Sequence, residues 1–243
     1  MYNEEKLQTI ENKLVAQFSN IFLRAYQSDQ KLIFQPRIVK QLEKINQELL
    51  TLAKKDAIHY IGTQYYDNTV FAAEDKEAEY LTELMIAYFL IVNADIKRTV
   101  IDYSVKNNVT IFEAFNAIGN TKLTGYIRTM SNDVYNQLLL KTYDMAGVSY
   151  FRFVAVIDFR TSDICRWMNG KIFNVNNVEQ FRPPLHPHCR SRLVPEKREN
   201  VTRKNKFYAM PKKLTKTFNW FKSTYSLDID ELAISLSNIN SNI

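Results

Sequence analysis

Leu7, Ile10, Leu14, Phe18, Ile21 and Ala25 step by three or four residues, which lays them along one face of a helix. A second stripe begins near Arg37 and continues through Ile38, Leu42, Ile45, Leu49, Leu52 and Ile61. Lys76 to Lys106 predicts a third helix. Its centre is apolar without interruption from Leu84 to Val92, as expected of a helix buried on all sides. A short helix is predicted over Ile111–Ile118. A last one covers Leu123–Ala146, with Leu123, Ile127, Met130, Val134 and Leu138 on one face. Gly147 suits its C-terminal cap, where a left-handed residue is needed. After Gly147 the period changes. Phe151–Ile157 (FRFVAVI) is β-rich, Asp158–Trp167 reads as a polar turn and short helix, and Asn169-Gly170 is a turn dipeptide. Lys171–Phe173 and Ser191–Val194 read as second and third short strands.

The predicted class is therefore α+β: a helical region at 1–146, a small β module at 147–196 and a C-terminal tail at 197–243. Three short strands bury little by themselves. The sheet must pack on the helices or be stapled.

Composition sharpens this picture. With 5 Gly and 6 Pro in 243 residues, helix breakers are scarce. Four of the prolines fall between Pro183 and Pro195. The N-terminus is polar and acidic and lacks the features of a signal peptide. The apolar stretch at 84–92 is far short of the about 20 residues a membrane span needs. No membrane association is expected. Net charge is +6, concentrated between Lys197 and Lys222, where nine Lys/Arg face one acid, Glu199. A basic stretch of this kind points to an anionic partner such as DNA. Arg203, Lys204, Lys206, Lys212 and Lys213 are the candidate contacts, with Phe207, Tyr208, Phe218, Trp220 and Phe221 interleaved. Phosphate contact with base stacking is one use of that mixture. Docking of the aromatics on a protein partner, with the lysines solvated, is the other.

Cys165, His186, His188 and Cys189 are the only Cys and His residues after His59. Four such ligands match the preference of zinc for tetrahedral N/S sites. The spacing, C-x20-H-x-H-C, is no standard finger. Two reduced thiols near one another, or two unrelated buried thiols, remain alternatives at this point. In the frame around the ligands, PPLHPHC, proline restricts φ and favours an extended approach.

The stretch VIDFRTSDICRWMNGKIF followed by PPLHPHCRSRLVP resembles the C-terminal signature of the phage Mu F-like minor head (head morphogenesis) proteins. The resemblance rests on Asp158, Arg160, Thr161, Cys165, Gly170, Pro183, Pro184, His186, Pro187, Cys189 and Arg190. With the helix RTMSNDVYNQLLLKTYDMAGV before it, it covers roughly 128–195. It implies a low-copy protein of the phage head interior, assembled in the host cytoplasm. Its partners would be the portal, other head proteins and DNA, with no small-molecule substrate. It also implies a Cys/His site holding a structural zinc ion on Cys165, His186 and Cys189. The family usually has a second cysteine where this chain has Ser191. The fourth ligand is then open between His188 and Asp158, or the site binds no metal.

Asp158, Arg160 and Thr161 follow a strand and suit a locked turn, since an Asp side chain there can accept backbone N–H bonds. No G-x-S-x-G, H-E-x-x-H, Walker or G-x-G-x-x-G motif occurs. The expectation is a structural protein and not an enzyme. The alternative is a metal-dependent nuclease or toxin-like effector on the same module, with Glu179 or Asp163 as its carboxylate.

Overall fold

The computed structural model describes residues 4–61 and 75–225. Four long helices dominate, α1 (Glu4–Gln27), α2 (Pro36–Ile61), α3 (Asp75–Asn107) and α5 (Asn120–Met145), with a single turn, α4 (Ile111–Ala114), before the last. All six positions of the first stripe are buried in α1. Leu42, Ile45, Leu49 and Leu52 are buried in α2, and Met85 to Phe89 are buried without a gap in α3.

The two helices expected at 111–118 and 123–146 are one continuous helical path. A capping box opens α4, with Thr110 and Glu113 bonding each other's backbone N–H. A π-turn at Phe115–Gly119 then joins α4 to α5. Gly119 does not break this path. A Cβ there would come within 2.6 Å of Val100 Cγ2 and 2.8 Å of the Phe115 ring, so glycine is needed for a close approach to α3.

The sheet follows. Strands β1 (Tyr150–Val154), β2 (Ile172–Asn174) and β3 (Arg192–Pro195) are antiparallel in the order β2-β1-β3. Phe151 pairs with Phe173 and Phe153 with Leu193, and all four are buried. The first strand is shorter than Phe151–Ile157, because the Asn169 side chain takes the Ala155 N–H at 3.0 Å and ends the ladder. Two short helices, α6 (Asp163–Met168) and α7 (Val175–Val178), flank β2, and α8 (Lys212–Tyr225) closes the described chain.

The chain divides into two compact units. A helical unit holds, of the described residues, 4–49 and 75–127. In it Phe18 packs on Phe89 with ring centroids 4.1 Å apart, and Tyr26 donates to the Asn93 side chain at 2.8 Å. A sheet unit holds, of the described residues, 50–61 and 128–225. There α5 carries the sheet through polar as well as apolar contacts. Buried Asn136 donates to Ser191 O at 3.2 Å and accepts from Leu193 N at 3.4 Å, and the Tyr143 ring packs on Phe151.

Candidate metal centre and its surroundings

Cys165 is set by the start of α6. Ser162 caps that helix and accepts the Cys165 N–H at 3.3 Å. On the other side the chain passes through a cis Pro183-Pro184 peptide, and Pro183, Pro184 and Leu185 are buried. The His186 carbonyl then accepts the Cys189 N–H at 3.2 Å, closing a tight turn. His188 takes a positive φ of 58° within it.

This turn returns Cys189 to His186 and brings both to Cys165. The two sulfurs lie 3.7 Å apart, and Cys165 Sγ lies 3.2 Å from His186 Nε2. All three ligand atoms fall within 4.8 Å of one another. Two thiolates bound to one tetrahedral zinc at about 2.3 Å stand about 3.8 Å apart. The observed sulfur separation fits that edge, and it is far too long for a disulfide. His186 Nδ1 lies 2.7 Å from the Pro187 carbonyl. A carbonyl only accepts, so Nδ1 carries the proton and Nε2 is the nitrogen turned to the sulfurs. Metal-binding histidines are oriented in this way. The group can therefore hold a metal ion.

The electrostatics favour a thiolate. Burial opposes ionisation of Cys189, but the Cys165 thiol and a His186 ring protonated on both nitrogens, each donating to its sulfur, outweigh it and hold its thiol well below the usual range; a cation entering the group takes the place of the Nε2 proton. Cys165, hydrogen-bonded to Cys189 and buried, is pushed up. Ionised Cys189 is the natural first ligand for a cation.

His188 and Asp158, the two candidates for a fourth ligand, lie outside this group. His188 is exposed, and its backbone N–H donates to Thr129 Oγ1 at 3.1 Å. Asp158 is engaged by Arg190, whose guanidinium reaches both carboxylate oxygens at 2.7 and 2.8 Å. Buried Ser191 stands nearest instead, with its hydroxyl donating to Cys165 Sγ at 3.2 Å. Glu179 and Asp163 are not in the group either. Glu179 pairs with Arg182 at 2.6 Å, and Asp163 sits in the first turn of α6.

Asp158, Arg160 and Thr161 form one network. Asp158 accepts the Arg160 N–H at 2.9 Å, and the Thr161 hydroxyl accepts the Asp158 N–H at 2.7 Å while donating to Val156 O at 2.6 Å. Arg166 adds bonds to the carbonyls of Asp158 and Thr161. The Arg190 guanidinium beside it holds the Asp158 carboxyl well below the usual carboxylate range. Arg166 and the Arg190 contact had no local sequence signal, because their partners lie 8 and 32 positions away. At the tip of this turn Phe159 is 93% exposed.

The basic stretch starts on the sheet unit itself. Ile172 N donates to Asn205 O, and Phe207 N donates to Ile172 O. The Phe207 ring lies 4.4 Å from Phe181 and 4.8 Å from Phe173, and Phe218 also meets Phe181. These two aromatics therefore pack on the chain's own module. Arg203, Lys204, Lys206, Lys212 and Lys213 are all exposed. The side chains of Trp220, Phe221 and Lys222 lie outside the described residues.

These features define a mostly helical α+β protein with a small sheet and a buried Cys-His-Cys group beside it. Within it, residues 99–194 match the family described as Phage Mu protein F like protein. The match covers less than half of the chain. It takes in α5, β1, β2, most of β3 and all three members of the Cys/His group, and it reaches further upstream than the resemblance over 128–195. This family points to phage head morphogenesis. No curated protein and no solved structure matches the chain. Among the described residues no helix is long and apolar enough to cross a membrane.

Proposed function

We propose that this chain is a minor head protein of a tailed bacteriophage or prophage, acting in head assembly at the portal. The observation that carries this reading is the family match over residues 99–194. In this reading the protein works by binding and positioning, is assembled in the host cytoplasm and ends in the head interior.

Cys165, His186 and Cys189 would hold one zinc ion, which would tie α6 and the PPLHPHC turn to one point. Its chemistry there is structural. A metal bound by residues from separate segments supplies the folding free energy that a small sheet lacks. Ser191 would hold Cys165 in place as a hydrogen-bond donor to its sulfur. Phe159, exposed on a turn fixed by Asp158, Thr161 and Arg190, would be the contact for another head protein, since exposed aromatics on rigid supports are efficient anchors. The exposed cations between Arg203 and Lys213 would meet the phosphates of packaged DNA.

The test is genetic and structural together. A phage or prophage lacking this gene should yield defective heads by electron microscopy, and wild-type particles should contain the chain by mass spectrometry. Supplying the Phe159→Ser variant in trans should fail to restore infective particles although the variant folds. Full infectivity without the gene, and virions lacking the chain, would overturn the reading.

A further inference from the structure

We propose that a basin in the helical unit, between the end of α1 and the start of α2, binds a phosphate ester. It lies in the part of the chain that the family match does not reach, and it does not rest on the head-protein reading. The cavity has a volume of about 400 Å³, which falls in the range of ligand pockets. Three cations line it: Arg24 on α1, Lys31 in the connecting loop and Arg37 on α2. No carboxylate does.

The basin supplies no neutralising charge of its own. The loop between the helices carries one acid, Asp29, and that acid is paired with Lys97 at 2.9 Å. The first turn of α2 contains no acid, although acids are the usual complement to the positive end of a helix dipole. Among the described residues, no ion pair is found for Arg24, Lys31 or Arg37. Three like charges around one concavity repel each other. An anion seated among them removes that repulsion and gains the helix dipole as well.

The remaining walls narrow the class of anion. Gln17 and Asn20 on α1, Gln30 and Gln35 in the loop, and Gln41 on α2 surround the cations with carboxamides. These both donate and accept hydrogen bonds, which suits the hydroxyls of a sugar and the edges of a base. Ile33, 65% exposed, also lines the basin and offers an apolar contact to a ring. The set fits a phosphate on a polar organic body better than a bare inorganic ion. Such a group can come from a nucleic-acid strand or from a free nucleotide.

The experiment uses the full chain with three probes: a fluorescent single-stranded oligodeoxynucleotide, dATP as competitor, and inorganic phosphate as competitor. The variants are Arg24→Glu/Arg37→Glu for the basin and Lys212→Glu/Lys213→Glu for the basic stretch. The basin variant should weaken its probe at least tenfold and lower the salt slope of strand binding by about 0.7 per lost contact. If the strand binds and dATP does not compete, the source is nucleic acid. If dATP binds by itself, the source is a nucleotide. Circular dichroism checks that the variants fold. Lys31→Glu, in the loop, provides a second perturbation if the double variant does not. Unchanged binding of every probe by the basin variants, or no binding to wild type, overturns the proposal. Loss only in the Lys212/Lys213 variant would also overturn it while leaving the DNA contact of the basic stretch intact.

Discussion

Outside the group, Cys165 has hydrogen bonds to the Ser191 and Ser162 hydroxyls, His186 Nδ1 donates to the Pro187 carbonyl, and Cys189 is held by the Leu185 backbone. Such outer contacts fix ligand orientation. Purified protein should therefore carry about one zinc per chain, and Cys165→Ser should release it, as read by elemental analysis. Ser191→Ala should weaken zinc by about tenfold in competition with a chromogenic chelator. Ser191→Cys places a third sulfur beside the other two and should tighten it. Equal affinity in wild type and Ser191→Ala would remove Ser191 from this role. Asp158 makes a separate, pH-dependent contribution. Its carboxyl is lowered in the folded chain, so its stabilisation is present above the ordinary carboxylate value of about 4 and fades as the pH falls below that. Melting temperatures of wild type and Asp158→Asn should differ at pH 6 and converge toward pH 2. A constant gap across that range would show that the Arg190 pair does not stabilise the turn.

Gly119 decides how α4 and α5 meet α3. Alanine is favoured over glycine in a helix by about 1 kcal/mol, but overpacking a buried site costs about 1–3 kcal/mol. Both close neighbours, Val100 and Phe115, are buried and have little room to yield. Gly119→Ala should destabilise the chain by up to about 2 kcal/mol net in urea unfolding, with part of the loss recovered in a Val100→Ala background. A stabilised Gly119→Ala would mean that the π-turn relaxes freely. The same residue shows where sequence reading stops. Apolar stripes found α1, α2, α3 and α5, because burial imposes their period. The sequence separated helices at 111–118 and 123–146, since no local pattern reveals a close approach of another helix at Gly119. The polar positions Thr129, Asp133 and Asn136 on α5 were invisible for the opposite reason. Their spacing is helical, but only the fold supplies their partners: His188 N, Arg182 and the backbone of Ser191 and Leu193. Cys165, His186 and Cys189 were legible because their residue types are rare and chemically matched. The place of Ser191 beside them was not, since a serine carries no such signal.

At the scale of the molecule, the segment that matches the Mu F-like family is not the segment that forms a compact unit. The sheet unit combines residues 50–61 with 128–225, whereas the match spans 99–194. The missing piece includes the end of α2. There Asp56, buried, accepts the Tyr135 hydroxyl at 2.6 Å, the Arg192 guanidinium lies over the Tyr60 ring at 5.9 Å, and Leu50, Leu52, Ala53 and Ala57 are buried. A polypeptide restricted to 99–194 would bare that face of the unit and lose the Asp56 carboxylate that accepts the Tyr135 hydroxyl. The fragment still contains all three proposed zinc ligands, so adding zinc separates metal binding from folding. The expected result is a fragment that, even with zinc, gives a collapsed amide NMR spectrum and no sharp urea transition, while the full chain unfolds cooperatively. Asp56→Ala in the full chain should cost about 1.5–3 kcal/mol, the contribution of a hydrogen bond to a charged group. A fragment with a dispersed spectrum and a cooperative transition would show that residues 99–194 fold without α2, and that Asp56 is dispensable to the module it touches.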